Sequence, residues 1–272
     1  MLNQAQIDLF REKGFLLGSH VLNDEQVEEL RSELTRVIDD YQKEDIPQPV
    51  HIANLGGREE TPVWQIVNIW EASPAYRKLV YNPIIVEEIG QLTSATEVRV
   101  WHDQIQYKPP QVGGVNMWHQ DSPYWPILKP KTSQVTAWVA LDDVDESNGC
   151  MRMVPGSYQW GNQIPFLHSI KDIHSMPDKF KDRELDVEMC PVKKGYVHFH
   201  HSLTWHGSHA NNSGQPRRAI AVHYMTSETL YDENGNHVMK RFVAVNNGEK
   251  LSGDHFPLVM DDGSPTNPYT EL

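Results

Sequence analysis

The N-terminal third of the chain spaces its apolar residues as helices do. Residues 4–13 predict a short helix that ends at Gly14, and residues 15–17 predict a strand. Asn23 and Gln26 have the spacing of a capping box. The helix that follows has one apolar stripe, which we interpret as core packing: Val27, Leu30, Leu34, Val37, Ile38 and Tyr41. Residues 43–62 predict a loop, and residues 73–92 a helical region interrupted near Asn82-Pro83.

From Glu97 onward the apolar residues alternate with a period of two, which is typical of strands. On the first strand we expect Val98, Val100 and His102 on one face and Arg99, Trp101 and Asp103 on the other. The strand ends before Pro109-Pro110, and Gly113-Gly114 predicts a loop. Asn148-Gly149 has the sequence of a hairpin turn. Further strands are predicted at 136–141, 150–154, 195–201 and 217–225.

Short strands with hairpin turns, preceded by helices, indicate a mainly β fold with helical cover. We expect a jelly-roll, cupin-like core, that is, a double-stranded β-helix. The pattern predicts one domain over residues 1–272: a helical part at about 1–95, the jelly-roll core at about 96–226 and an irregular tail at 227–272. Residues 158–186 predict a long irregular insertion within the core.

Composition narrows the possible functions. A net charge of -13 argues against a nucleic-acid partner, because phosphate contact requires a basic surface. No apolar run approaches the length of a membrane span, and the first residues do not resemble a signal peptide. Two cysteines, Cys150 and Cys190, cannot form a disulfide framework, which favours a reducing, cytoplasmic setting. We therefore expect a cytoplasmic protein with a small-molecule partner; the oligomeric state stays open.

The chemistry centres on residues 118–126, which contain His119 and Asp121. On an extended strand two side chains at this spacing leave the same face of the sheet. They provide two ligands of the facial triad that suits Fe(II) and leaves positions open for chemistry. A His-x-Asp pair is also common as a hydrogen-bonded surface pair, so it predicts a metal site only together with other residues.

Those other residues resemble the phytanoyl-CoA dioxygenase-like family of Fe(II)- and 2-oxoglutarate-dependent oxygenases. The resemblance covers about 97–225 and lies in three ordered pieces: residues 118–121, residues 138–157, and residues 206–217. It implies that His119, Asp121 and His206 bind iron, whereas His200, His201 and His209 lie in the surroundings of the metal or on the surface. It also implies that Arg217, eleven residues after His206, binds the distal carboxylate of 2-oxoglutarate. Periodicity alone leaves Arg217 and Arg218 as equal candidates.

The resemblance further implies that Trp138 and Ser208 line the cosubstrate pocket and that Gln104 and Gln65 contact the cosubstrate. Tyr124 and Trp125 are candidates for substrate contact, with ordinary loop packing as the alternative. For His223 we favour a hydrogen-bonded core position over contact with the cosubstrate.

The implied activity is that of a dioxygenase. Fe(II), 2-oxoglutarate and O₂ would act together to hydroxylate a small organic substrate while 2-oxoglutarate is converted to succinate. One alternative is a non-catalytic metal-binding protein of the cupin type. Another is a halogenase of the same fold, and Asp121 argues against it because a halide would need the position of that carboxylate.

Overall fold

The computed structural model describes residues 1–54, 63–111 and 114–269. The helices are α1 Gln4–Lys13, α2 Asp24–Asp39, α3 Ile69–Ala72, α4 Pro74–Val80, α5 Pro83–Thr93 and α6 Ile164–Leu167. The strands are β1 Phe15–His20, β2 His51–Asn54, β3 Trp64–Val67, β4 Val98–Lys108, β5 Asn116–His119, β6 Leu128–Lys129, β7 Gln134–Ala140, β8 Met151–Met153, β9 Lys179–Phe180, β10 Arg183–Glu184, β11 Glu188–Cys190, β12 Tyr196–His201, β13 His206–Ser208, β14 Arg217–Thr226, β15 Leu230–Tyr231, β16 Leu258–Asp261 and β17 Ser264–Pro265.

The predicted helix boundaries at the N-terminus are confirmed. The side chains of Asn3 and Asn23 each accept a hydrogen bond from the third backbone N–H of their helices, and a glutamine reciprocates in both cases. Gly14 ends α1 with a φ of 83°, a left-handed conformation that favours glycine. Helix α2 ends at Asp39, so Tyr41 lies beyond the apolar stripe and is exposed.

Two antiparallel sheets face each other. The larger has the order β1-β12-β7-β14-β4, with β3 and β16 pairing to different parts of the long strand β4. The smaller has the order β11-β8-β13-β5. Between them pack the inward residues of the large sheet, such as Trp138 and Ala221, and Met151 and Met153 from β8. The expected jelly-roll arrangement is confirmed.

The opposite face of the large sheet is covered by the N-terminal helices. Leu30 of α2 and Ile85 of α5 are buried in one apolar cluster with Val139 and Val222 of the sheet. Burial of a side chain of this size contributes about 1.5–3 kcal/mol of stabilisation. The helical cover therefore fixes which face of each central strand points toward the barrel interior.

A β-bulge changes the predicted alternation on β4. His223 pairs with His102 and Tyr224 pairs with Val100, so Trp101 is an extra residue without a cross-strand partner. Val98 and Val100 share one face as expected, and that face packs against the helices, but His102 faces the barrel interior. Asp103 points to the helical side and accepts the backbone N–H groups at the start of α3. The prediction for His102 and Asp103 was wrong because the bulge adds one residue to β4, which reverses the faces of the residues that follow it.

The Asn148-Gly149 turn does not form a hairpin. It connects β7 of the large sheet to β8 of the small sheet, so the flanking strands do not pair. The carboxamide of Asn148 closes a tight turn by donating to the carbonyl of Asp143 and accepting from the N–H of Asp145. Gly149 has a φ of 85°, and a Cβ there would lie 2.5 Å from the carbonyl oxygen of His209. The sequence correctly predicted a turn at Asn148-Gly149, but the prediction that the turn forms a hairpin was wrong.

Three segments predicted as irregular contain regular structure. Strand β2 lies within the predicted loop 43–62, of which residues 55–62 are outside the described residues, as is Gly113 of the predicted Gly113-Gly114 loop. The insertion 158–186 contains α6 and the β9-β10 pair. The tail contains β16, which pairs with β4. The strands β9 and β10 pair across a short turn, whereas β16 is a strand because it pairs with β4, a distant partner that local sequence does not reveal. Within the described ranges no helix is long and apolar enough to cross a membrane.

The two arginines that begin β14 point to opposite faces. Arg217 is 1% exposed and points inward. Arg218 points outward and forms a bidentate ion pair with Asp142, through distances of 2.8 and 2.9 Å. Asp142 also accepts from Arg31 of α2, so one buried carboxylate joins the helical layer to the sheet. Of the two arginines, only Arg217 therefore faces the barrel interior, where it could contact a ligand.

We predict that Asp142→Asn lowers the free energy of unfolding by about 3 kcal/mol, because Arg218 then has no counter-ion among the described residues and Arg31 has only the exposed Glu28. Urea denaturation followed by circular dichroism measures the change. Asp143→Asn is the matched control, since the Asp143 side chain is 65% exposed and its removal should leave stability nearly unchanged. Equal effects of the two substitutions would contradict the assigned role of Asp142.

Candidate active site

Pairing of the small sheet brings three potential metal ligands together. His119 at the end of β5 lies directly opposite His206 at the start of β13. Asp121 follows just after β5 in a helical conformation, with φ -75° and ψ -56°, and its N–H donates to the carbonyl of Ser202. We predicted that His119 and Asp121 leave the same face of one extended strand, but the strand ends at His119. Asp121 reaches the site because the chain bends after the strand.

The ligand atoms of His119, Asp121 and His206 lie within 4.8 Å of one another. The Nε2 atoms of His119 and His206 lie 3.8 and 3.4 Å from Asp121 Oδ1. Each histidine donates from Nδ1 to a backbone carbonyl, His119 to Met117 at 2.7 Å and His206 to Thr204 at 2.9 Å. Because a carbonyl only accepts, Nδ1 must carry the proton in both rings, which leaves both Nε2 lone pairs free for a metal.

The pKa values of His119 and Asp121 are shifted in the directions that suit a bound cation. Burial and neighbouring His206 lower the pKa of His119 to about 3, so its ring is neutral. Burial opposes the charge on Asp121, but the nearby histidines outweigh it and hold its pKa well below the usual range. Burial lowers the pKa of His206, but the charge of Asp121 outweighs burial and raises it, so a cation that binds Nε2 takes the place of a proton shared with Asp121. Two imidazoles and one carboxylate with open positions form the donor set that fits Fe(II).

The second oxygen of Asp121 is held by the large sheet. His200 Nε2 donates to Oδ2 at 3.0 Å, and Thr136 Oγ1 donates to the same oxygen at 2.9 Å. Thr136 Oγ1 in turn lies 2.8 Å from His223 Nδ1. All three supporting side chains are buried. They restrict the carboxylate to one orientation, with Oδ1 toward the two histidine ligands.

A narrow inner cavity of about 20 Å³ lies beside the triad and is lined by Gln106, Trp138, Ser208 and Ala221, among others. The Arg217 guanidinium lies over the ring of Trp138, one of these lining residues, 5.5 Å from its centroid. It has only two long contacts to carbonyls, 3.4 and 3.5 Å, and its buried Nε has no partner among the described residues. Burial lowers the pKa of Arg217 to about 10, so the group remains charged. A buried guanidinium without a counter-ion fits an anionic ligand.

Lys108 lies directly across from Arg217 in the sheet and is also buried. Its Nζ donates to the Ser208 hydroxyl at 2.7 Å and to the carbonyl of His209 at 2.6 Å. Burial and the neighbouring guanidinium lower its pKa to about 6. Because the Ser208 oxygen accepts from Lys108, the hydroxyl proton is free to donate to a ligand in the cavity.

A wider cleft of about 530 Å³ opens on the other side of His119 and Asp121. Gln65 and Gln104 line this cleft, and Gln106 lines both it and the inner cavity, where it accepts a hydrogen bond from Trp138. Tyr124 is half-exposed and bonds to His168, whereas Trp125 is buried against His223. These aromatic residues therefore belong to the cleft wall.

Sequence reasoning did not single out Thr136, Lys108 or Gln106. Each is a polar residue at an inward position of a central strand, and polar residues are uncommon in a core, so this position could have indicated a functional role. His201 and His209 bond to backbone carbonyls, and neither belongs to the three-residue cluster found among the described residues. His223 is buried as expected, yet it also lines both cavities.

A jelly roll that holds an open His-Asp-His cluster beside a buried arginine defines the class of Fe- and 2-oxoglutarate-dependent oxygenases. The sequence profile of the family described as phytanoyl-CoA dioxygenase (PhyH) matches residues 10–219. The chain belongs to that family.

Individual relatives agree with this assignment. Peroxisomal phytanoyl-CoA dioxygenase of Rattus norvegicus is 27% identical over 249 residues, which cover 85% of this chain and 70% of the relative. Ectoine dioxygenase of Bordetella parapertussis is 27% identical over 245 residues, or 84% and 76% of the two chains.

Solved structures share the fold. The non-heme alpha ketoglutarate dependent carbocyclase SnoK superposes with a TM-score of 0.76 at 26% identity, over 95% of this chain and 97% of SnoK. EctD from S. alaskensis, solved with 2-oxoglutarate and 5-hydroxyectoine, has a TM-score of 0.69 over 92% of this chain and 86% of its own; at 17% identity this shows likeness of fold alone. Membership of the family, together with the His-Asp-His cluster, gives iron and 2-oxoglutarate as the cofactors of this enzyme.

We predict that His206→Ala removes most of the bound Fe(II) without unfolding the protein, because only two of three ligand atoms remain. Metal content of the purified variants, measured by elemental analysis, tests this. His209→Ala is the control: it removes a nearby histidine that bonds only to a carbonyl, so it should retain iron. Full iron content in the His206→Ala protein would contradict the ligand set.

Proposed function

We propose that the enzyme hydroxylates a small organic substrate, using Fe(II) held by His119, Asp121 and His206, with 2-oxoglutarate and O₂ as cosubstrates. The observation that carries the proposal is the convergence of the three ligand atoms within 4.8 Å beside a cleft of about 530 Å³. When bound, the iron would use O₂ and 2-oxoglutarate together to supply the oxidant for a C–H bond: one oxygen atom of O₂ would go into succinate as CO₂ is released, and the other would be available to the substrate.

The protein's own contribution is to orient the reactants. Arg217 binds the distal carboxylate of 2-oxoglutarate, because its planar fork accepts a carboxylate through two parallel hydrogen bonds. Ser208 donates its hydroxyl proton to the same carboxylate, and Trp138 provides a flat wall between that end and the triad. The inner cavity of about 20 Å³ has room for little more than one water molecule, so side chains around it must shift to admit a five-carbon diacid.

Gln65 and Gln104 lie on the cleft side of the triad, and no hydrogen bonds of their side chains occur among the described residues. Their free carboxamides suit polar groups of a ligand that projects toward the cleft. The substrate enters the same cleft, past Tyr124 and Trp125. A volume of about 530 Å³ is typical of pockets for small organic molecules.

The position of Asp121 favours hydroxylation over halogenation. Its Oδ1 faces both histidine ligands, while its Oδ2 accepts two hydrogen bonds from the protein. A halide would need the position that this anchored carboxylate occupies. This supports an oxygen-derived product rather than a halogenated one.

Oxidative ring closure is a second candidate, favoured by the likeness to the carbocyclase SnoK over 97% of that chain. It begins with the same removal of hydrogen but ends with a new carbon–carbon or carbon–oxygen bond within the substrate. The two outcomes differ in mass: hydroxylation adds one oxygen atom, whereas ring closure removes two hydrogen atoms.

For the cosubstrate, we predict that Arg217→Met weakens 2-oxoglutarate binding roughly thirtyfold or more, since losing a buried charge-assisted pair costs about 2–5 kcal/mol. Anaerobic calorimetric titration of the iron-loaded protein measures the affinity. Binding of 2-oxobutyrate, which has no distal carboxylate, should barely change. Arg218→Met is the control, and a large loss there with none at Arg217 would reverse the assignment.

For the reaction, we predict iron-dependent succinate formation from 2-oxoglutarate in air, accelerated by the true substrate. Anaerobically purified, iron-loaded protein is incubated with metabolite extracts, chloride and bromide, and the products are compared by mass. A substrate that gains one oxygen atom supports hydroxylation. A loss of two hydrogen atoms supports ring closure, and a halogenated product, or no succinate under any condition, rules out the dioxygenase proposal.

A further inference from the structure

One buried hydroxyl links the metal ligand Asp121 to a histidine of the substrate cleft. Thr136 lies on β7 and is completely buried. Its Oγ1 is 2.9 Å from Asp121 Oδ2 and 2.8 Å from His223 Nδ1. A hydroxyl has a single proton to donate, so the two contacts cannot both be donations from Thr136.

The direction of each hydrogen bond follows from the acceptor. An ionised carboxylate only accepts, so the Thr136 proton points to Asp121. The Thr136 oxygen must then accept from His223, which requires the proton of that ring to be on Nδ1. A neutral imidazole carries one proton, so Nε2 of His223 bears a lone pair. Burial lowers the pKa of His223 to about 4, in keeping with a neutral ring.

The position of His223 allows this lone pair to accept a hydrogen bond from a ligand. The ring lines both the inner cavity and the outer cleft, next to Trp125 at a centroid distance of 4.8 Å. His223 Nε2 has no hydrogen-bond partner among the described residues. His102, the imidazole beside it, donates from Nδ1 to the carbonyl of Asp103 and has no other hydrogen bond among the described residues. A fixed acceptor therefore lies at the boundary that a substrate must reach to approach the triad.

We propose that Thr136 fixes His223 as a hydrogen-bond acceptor for the substrate, so that the enzyme selects a substrate with a hydroxyl or N–H group close to the reacting carbon. Thr136 is a positioning residue, and His223 is the residue that contacts the substrate. The part concerning the substrate rests on the proposed function, whereas the tautomer of His223 is independent of any turnover.

The tautomer is measured by nitrogen NMR on protein with isotope-labelled histidine, loaded with Zn(II) and 2-oxoglutarate. The His223 signal is assigned by its loss in His223→Gln. We expect His223 to carry its proton on Nδ1 in the wild type and in Thr136→Ser, which keeps the hydroxyl. Thr136→Val should lose this preference.

A second variant separates the direct contact from an effect through Asp121. His200→Gln perturbs the other hydrogen bond to Asp121 Oδ2 but leaves the contact between Thr136 and His223 in place. It should therefore retain the wild-type His223 tautomer. A wild-type ring with its proton on Nε2, or equal changes in Thr136→Val and His200→Gln, would overturn the proposal.

The acceptor role is tested by titrating the same loaded protein with benzyl alcohol and with benzyl methyl ether, two aromatic probes that differ in one donated hydrogen bond. We expect the alcohol to shift the His223 Nε2 signal and to bind about fivefold more tightly than the ether, as one hydrogen bond provides. Thr136→Val should remove that difference. Equal responses to the two probes, or none to either, would overturn the assignment of Nε2 as an acceptor open to the cleft, whether or not the enzyme proves to be a hydroxylase.

Discussion

The carboxylate of Asp121 is the interaction on which the active site depends. Its Oδ1 faces His119 and His206 of the small sheet, while its Oδ2 accepts hydrogen bonds from His200 and Thr136 of the large sheet. The two layers of the jelly roll are thus joined through one side chain at the metal position. A metal ligand that is itself restrained in this way needs little reorganisation on binding, which favours affinity and a single coordination geometry.

The cosubstrate pocket is organised around charge that the protein leaves uncompensated. Arg217 and Lys108 are directly opposite in adjacent strands and both are buried, and none of the described residues forms an ion pair with either. Burial and the neighbouring guanidinium lower the pKa of Lys108 to about 6, so Arg217 carries the charge near pH 7. Removing that charge from water lowers the stability of the unliganded protein, and an anion bound at Arg217 would relieve the cost. In the proposed function, specificity for a dicarboxylate is the corresponding gain.

The inner site was predicted mainly from the resemblance to a family, with local rules in support. The period of two set Arg217 and Arg218 on opposite faces, and the resemblance selected Arg217 and assigned Trp138 to the cosubstrate pocket. Asp142 explains that separation in physical terms, since it binds Arg218 on the outer face. The alternation failed at Trp101, because a bulge is an insertion relative to a partner strand. The residues Asn148-Gly149 correctly predicted a turn. They could not predict which sheet the next strand joins, because that depends on its partner strands.

The substrate cleft was much less predictable, because its wall is formed by residues from several segments that are far apart in sequence. His51, His168 and His237 belong to segments that look irregular in sequence, and the structure brings them to one cleft with β3, β4 and the loop after β5. No periodicity relates residues so far apart. The inner site is therefore determined by strands whose register is fixed by a buried face, whereas the cleft is determined by how separate loops pack over it. A family can retain the first and vary the second, so the same removal of hydrogen can lead to an alcohol in one member and to a new ring in another. In this chain the link from Asp121 through Thr136 to His223 joins the two parts, because it transfers the orientation of a metal ligand to a group in the wall of the cleft.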